Sequence, residues 1–161
     1  MTTTIRRALP GDCIRLHEMI VQHAIYEAST ASVTPAELEQ LLGARPSPFT
    51  LLVAEWETRL VGYAALTFDW SLWRGQRYGH LDCLFVDAGV RGRGVGDLLM
   101  SAVGDVALSQ GVSRLEWNTP HWNENAARFY LRRGASALIK TRFALDLSLS
   151  SATPDTVGES I

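Results

Sequence analysis

Ten residues, Asp87-Ala88-Gly89-Val90-Arg91-Gly92-Arg93-Gly94-Val95-Gly96, join an apolar stretch at Leu81 to Val86 to a run with helical periodicity that begins at Val95. Alternating glycines let successive backbone amides turn toward one point. At a helix N-terminus those amides, together with the positive end of the helix dipole, favour an anion such as phosphate. A tight turn carrying two exposed arginines is the plain alternative, but three alternating glycines exceed what a turn needs. A P-loop requires Lys after the second glycine, and Val95 follows Gly94. A dinucleotide GxGxxG needs a third glycine at Asp97 or Leu99, so that spacing is met only in part, although Glu116 stands at a suitable distance for a ribose.

The elements around this loop follow from periodicity. Thr3 to Ala8 reads as a first strand, and Pro10-Gly11-Asp12 as a turn leading into a helix on Cys13, Leu16, Ile20 and Ala24 that ends near Glu27. Thr34, Pro35 and Glu37 form a capping box before a short second helix, closed by Pro46 and Pro48. Phe49 to Trp56 and Leu60 to Phe68 predict an antiparallel hairpin turning at Glu57-Thr58-Arg59, followed by a strand at Arg77 to Asp87. Val95, Leu98, Leu99, Ala102, Val103, Val106 and Ala107 predict one amphipathic helix, ended by Gly111. A strand at Ser113 to Thr119, a helix at Asn123 to Arg133 stopped by Gly134, and a last hairpin ending in Phe143 to Leu147 complete the expectation.

The chain of 161 residues is about one domain by length; residues 1–147 are expected to form it and the Ser/Thr-rich residues 148–161 a tail. A net charge of −2 provides no basic field for nucleic acid or anionic lipid. No run reaches the roughly 18 apolar residues of a spanning helix, and Met1 to Gly11 lacks a signal-peptide core, so a cytoplasmic location is expected. Two cysteines, Cys13 and Cys83, suit a reducing compartment and are read as buried apolar residues. His17 and His23 are wrongly spaced for an i, i+4 metal pair, and no acidic or cysteine cluster accompanies His80 or His121; no metal is expected.

Arg91-x-x-Gly94-x-Gly96 resembles the pyrophosphate loop of the GCN5-related N-acetyltransferases, the GNAT superfamily. Downstream, Asn123-Glu124-Asn125-Ala126-Ala127-Arg128-Phe129-Tyr130-Leu131-Arg132-Arg133-Gly134 looks like that family's second signature. Tyr26-Glu27 and Trp122-Asn123-Glu124 are similar to the diamine acetyltransferase branch, from which the chain departs at Asp82-Cys83, where that branch has two acids. The resemblance implies a mixed α/β fold ordered β1-α1-α2-β2-β3-β4-α3-β5-α4-β6-β7, with a splayed, mostly antiparallel sheet. It implies acetyl-CoA as cosubstrate, held by the backbone of Leu84, Phe85 and Val86, by Arg91, Gly92, Arg93, Gly94, Val95 and Gly96, and by Asn123, Asn125, Ala126, Phe129 and Tyr130. Tyr26, Glu27, Asp82, Glu116 and Asn118 are the acceptor-side candidates, and a homodimer is a candidate assembly.

The implied chemistry is acetyl transfer to a primary amine by direct attack. An amine of pKa about 10 must first lose a proton, costing roughly 4 kcal/mol at neutral pH unless a base assists. Asp82 is the candidate base, acting through water, and Tyr130 the candidate acid for the departing thiolate. Strand alternation predicts His80, Asp82 and Leu84 on one face and Leu81, Cys83 and Phe85 on the other. Other acceptors (an aminoglycoside, an amino acid, a protein N-terminus) and a non-catalytic CoA-sensing module remain open at this point. Trp70 and Trp73 are left between an acceptor-pocket wall, a dimer surface and a core rim.

Overall fold

In the computed structural model, residues 2–147 are described. The chain divides into two compact units, Met1–Pro120 and His121–Ile161. The first unit holds a five-stranded sheet in the order β1-β2-β3-β4-β5, formed by Thr3–Arg7, Thr50–Trp56, Arg59–Ser71, Gln76–Val86 and Leu115–Glu116. All neighbours are antiparallel except β4 and β5, which run parallel. A parallel pair needs a long crossover, and α3 at Val95–Ser109 supplies it.

Helices α1 (Cys13–Tyr26) and α2 (Pro35–Gly43) cover one face of the sheet. Leu16 and Met19 of α1 and Leu38 and Leu42 of α2 bury against Leu51, Val53, Tyr63 and Phe85, with Ala65 and Cys83 beside them. The expected box at Thr34 forms: its Oγ1 accepts from the Glu37 amide at 3.2 Å, and Glu37 accepts from the Thr34 amide at 2.8 Å. Helix α3 covers the opposite face through Val95, Leu99, Met100, Val103 and Ala107. Each such side chain contributes about 1.5–3 kcal/mol when fully buried. Packing there is close, since a Cβ at Gly62 would meet the Phe85 carbonyl oxygen at 2.8 Å and Leu99 Cδ1 at 3.3 Å.

The second unit contains α4 at Glu124–Arg132. The expected last hairpin, β6-β7, is a correction: residues 135–147 form no strand among the described residues, and Leu138, Ile139, Phe143 and Leu145 are exposed. An alternating sequence supplies two faces, but a strand exists only where its amides meet a partner ladder. The expected tail at 148–161 lies outside the described residues. The hairpin tip between β3 and β4 exposes Trp70 and Trp73, at 67% and 96%, which removes the core-rim reading.

Candidate active site

The site grows from an irregularity in β4. Ala65 pairs with Cys83 but Leu66 with Leu81, so Asp82 is an extra residue opposite the Ala65–Leu66 step, a β-bulge. This corrects the alternation expected from sequence. Cys83 and Phe85 stay on the α1 face with Ala65 and Tyr63, whereas Leu81, opposite Leu66, turns to the α3 face. The bulge brings Asp82 beside Cys83, with Cys83 Sγ 3.6 Å from Asp82 Oδ2 and His80 Nε2 3.9 Å from Asp82 Oδ1. The Asp82 side chain is 61% exposed, open to a substrate and to water.

The bulge also sets the direction of the backbone. The Asp87 amide donates to Val61 O on β3, so by alternation the amides of Val86 and Leu84 point to the other edge of β4. On that edge β5 pairs only with Gly79 and His80, and β4 runs on from Leu81 to Val86 without it. The sheet therefore opens beside two outward amides.

At the end of this edge the glycine-rich loop enters α3. Gly92 and Gly94 have φ of 75° and 81°, left-handed backbone that glycine adopts without strain, and Gly94 is the residue before the helix. The first amides of α3, at Val95, Gly96 and Asp97, have no acceptor within the helix. Arg91 is folded back from the loop. Its Nε donates to Val86 O at 2.9 Å, and its guanidinium lies 5.1 Å from the Tyr26 ring centroid and 5.8 Å from that of Phe85. Arg93 lies over Trp56 at 5.0 Å. Together these hold the loop against the sheet while Gly89, Gly92 and Gly94 stay exposed.

On the α1 face, residues from three elements meet. His23 Nδ1 is 2.9 Å from the Tyr63 hydroxyl and its Nε2 is 3.4 Å from Glu27 Oε1. The His23 ring sits 5.4 Å from that of Phe85. Burial holds the His23 pKa below its ordinary value despite Glu27, with the positive charge of Arg91 adding to the effect. Burial, followed by the charge of Asp82, pushes the Cys83 thiol up to about 12. Cys83 is thus a neutral thiol at pH 7 and cannot replace a carboxylate as a base. Burial also raises the Tyr63 hydroxyl, which remains protonated. In the sequence His23 is weighed only as a metal ligand; its i, i+4 spacing to Glu27 is the signal that points further. Tyr63 offered none.

The remaining candidates lie on other elements. Glu116 on β5 pairs with Arg114 at 2.6 Å, and Asn118, two residues on, is exposed between half-buried neighbours. In the second unit the buried Asn123 caps α4, its Oδ1 accepting from the Ala126 amide at 3.2 Å. Asn125 accepts from Arg128 at 2.7 Å, and the Phe129 and Tyr130 rings lie edge to face at 5.2 Å. Among the described residues no cluster of three or more metal-ligating side chains occurs, and no helix is long and apolar enough to cross a membrane.

An open strand edge, outward amides and a glycine-rich helix entry could hold an extended ligand ending in phosphate. Residues 16–135 match the Acetyltransferase (GNAT) family, and the chain belongs to that family. It is an acetyl-CoA-dependent N-acetyltransferase. It is 32% identical over 145 residues to thialysine N-epsilon-acetyltransferase from Bos taurus, covering 83% of this chain and 84% of the relative. The fold is similar to an integron cassette protein from the mobile metagenome of V. cholerae (TM-score 0.73, 22% identity, 91% and 93% covered). It is also similar to ribosomal-protein-alanine N-acetyltransferase from Brucella melitensis (TM-score 0.70, 21% identity, 91% and 100% covered).

Proposed function

We propose that the chain transfers the acetyl group of acetyl-CoA to a primary amine of a small molecule that carries a second positive charge, a diamine or a lysine-like amino acid. The observation that carries this reading is the convergence of two carboxylates, Glu27 and Asp82, whose charges both reach His23 and Tyr63 on the α1 face. Two acids whose charges reach the same pair of side chains favour a dication over a monocation. The bovine relative is named for acetylating the ε-nitrogen of thialysine, which supports an amine at the end of a short chain.

In this reading the outward amides of Leu84 and Val86 take the pantetheine arm as a neighbouring strand would, and the loop from Arg91 to Gly96 takes the pyrophosphate. Asp82, exposed beside the bulge, removes the ammonium proton through water. The free amine then attacks the thioester carbonyl, and a β4 amide stabilises the oxyanion. Tyr130 donates its proton to the leaving thiolate, while Asn123, Asn125, Ala126 and Phe129 hold the cofactor side of α4. Residues 1–147 work as one catalytic domain. The expected cytoplasmic location rests on the sequence alone, and the expected homodimer is supported by the exposed Trp70 and Trp73.

The test is thiol release from acetyl-CoA with a panel of amines. A diamine should exceed the monoamine of equal length in kcat/KM by tenfold or more, and Glu27→Gln should remove most of that ratio. A ratio near one moves the acceptor to another class of amine, and no release with any amine in the panel overturns the small-molecule diamine reading.

A further inference from the structure

Three elements converge on one half-buried imidazole. His23 is contributed by α1; Tyr63 approaches it from β3, with Cys83 of β4 beside Tyr63, Asp82 from β4, Glu27 from the end of α1, and Arg91 from the loop after β4. Its side chain is only 15% exposed, and the rings of Tyr63 and Phe85 wall it at 5.9 and 5.4 Å. The partners fix the tautomer. A carboxylate 3.4 Å from Nε2 requires a proton there, so in the neutral ring Nδ1 is bare and accepts from the Tyr63 hydroxyl at 2.9 Å. Hydrogen bonds then run in one direction, Tyr63 to His23 to Glu27.

This arrangement does two things to Glu27. It fixes the carboxylate through a ring that cannot rotate without losing two hydrogen bonds. It also leaves the carboxylate its full negative charge only while His23 is neutral. Resting on the acceptor reading above, we infer that His23 is a positioning residue that aims Glu27 at the second cation of the acceptor and withdraws that charge when it takes up a proton. Burial and the nearby Arg91 keep the ring neutral at pH 7, while Glu27 and Asp82 pull the other way. Proton uptake therefore falls below the ordinary histidine range of about 6.5. The cationic ring then pairs with Glu27, and a diammonium acceptor loses its partner. A monoamine, which never used Glu27, does not.

The experiment compares a diamine with the monoamine of equal length from pH 8 to 5, because loss of the attacking nitrogen's own proton affects both alike and cancels in the ratio. In the wild-type enzyme the diamine preference should fall several-fold as the pH drops below the ordinary histidine value of about 6.5, through acceptor KM, with the acetyl-CoA KM flat. His23→Gln keeps an N–H donor for Glu27 and cannot titrate, so its ratio should be independent of pH. Proton NMR of the imidazole provides a readout without turnover: Tyr63→Phe, which removes a donor to the neutral ring, should raise the His23 pKa, and Glu27→Gln should lower it. A diamine preference that persists unchanged to pH 5, or that still falls with pH in His23→Gln, overturns the proposal alone. So does a His23 resonance unmoved by both variants. Absence of any diamine preference at every pH overturns the acceptor reading and this inference with it.

Discussion

The amides of Gly79 and Asp87, an even number of residues apart on one strand, leave by opposite edges: Gly79 donates to Arg114 O and Asp87 to Val61 O, each at 2.8 Å. In a regular strand such residues share an edge. The extra residue at Asp82 reverses the parity, and it turns Leu84 and Val86 outward at the place where β5 ends. Hydrogen exchange reads this directly. The Leu84 and Val86 amides should exchange faster than Phe85, which faces β3, and should slow by tenfold or more when acetyl-CoA is added. Equal protection of all three without ligand would show that the edge is already closed.

Gly94 has φ of 81° and a Cβ there would meet nothing within 4 Å, so its constraint is conformational rather than steric. Gly94→Ala should cost about 1–2 kcal/mol in left-handed strain and reorient the amides that follow, weakening acetyl-CoA binding in calorimetry. Gly89→Ala is the control. Gly89 has open space and no positive φ, so its affinity and melting temperature should stay near those of the parent.

Periodicity made most of the first unit legible. Four of the five α3 positions that bury, Val95, Leu99, Val103 and Ala107, belong to the expected stripe, whereas Met100 buries outside it and Leu98 within it is exposed; the cap at Thr34 is written in three residues. The loop was legible because glycine at Gly92 and Gly94 marks a backbone few residues share. The bulge at Asp82 was not, since an inserted residue leaves no mark in a strand that is apolar on both faces. That is why Leu81 was assigned to the wrong face. The contact of His23 with Tyr63 joins residues far apart in sequence, which a local pattern cannot encode. Residues 135–147 erred the other way: Ile139, Phe143, Leu145 and Leu147 alternate as a strand does, but pairing is a property of the neighbour as well as of the segment.

Tyr130 lies near the end of α4, with its ring against Phe129. Tyr130→Phe keeps the ring and deletes only the hydroxyl, so turnover should fall roughly ten- to several-hundred-fold while acetyl-CoA affinity is nearly unchanged. Steady-state thiol release and equilibrium binding separate the two quantities. Unaltered turnover would reduce Tyr130 to packing and leave the thiolate to depart unassisted. A loss confined to acetyl-CoA affinity would make it a binding residue instead.

The acid limit of stability should be set in part by Asp12. Arg6 grips this carboxylate with two donors, at 2.7 and 3.0 Å, while its Nε holds Glu55 at 2.9 Å, so one guanidinium ties β1 to β2 and to the turn before α1. The Leu9 amide adds a third hydrogen bond at 2.8 Å. The Arg6 hydrogen bonds hold the Asp12 pKa below its ordinary value, outweighing the opposing effect of burial. The unfolded chain then binds a proton at higher pH than the folded one does. This contribution is therefore complete above the ordinary carboxylate value of about 4, and it is lost as the pH falls through the depressed folded value. Asp12→Asn should lower stability by roughly 1–2 kcal/mol at pH 7, a few degrees in melting temperature, because Arg6 loses a charged acceptor. The difference between parent and variant should shrink steadily below pH 4. A difference that stays constant from pH 7 to 3 would show that Asp12 acts through shape rather than charge.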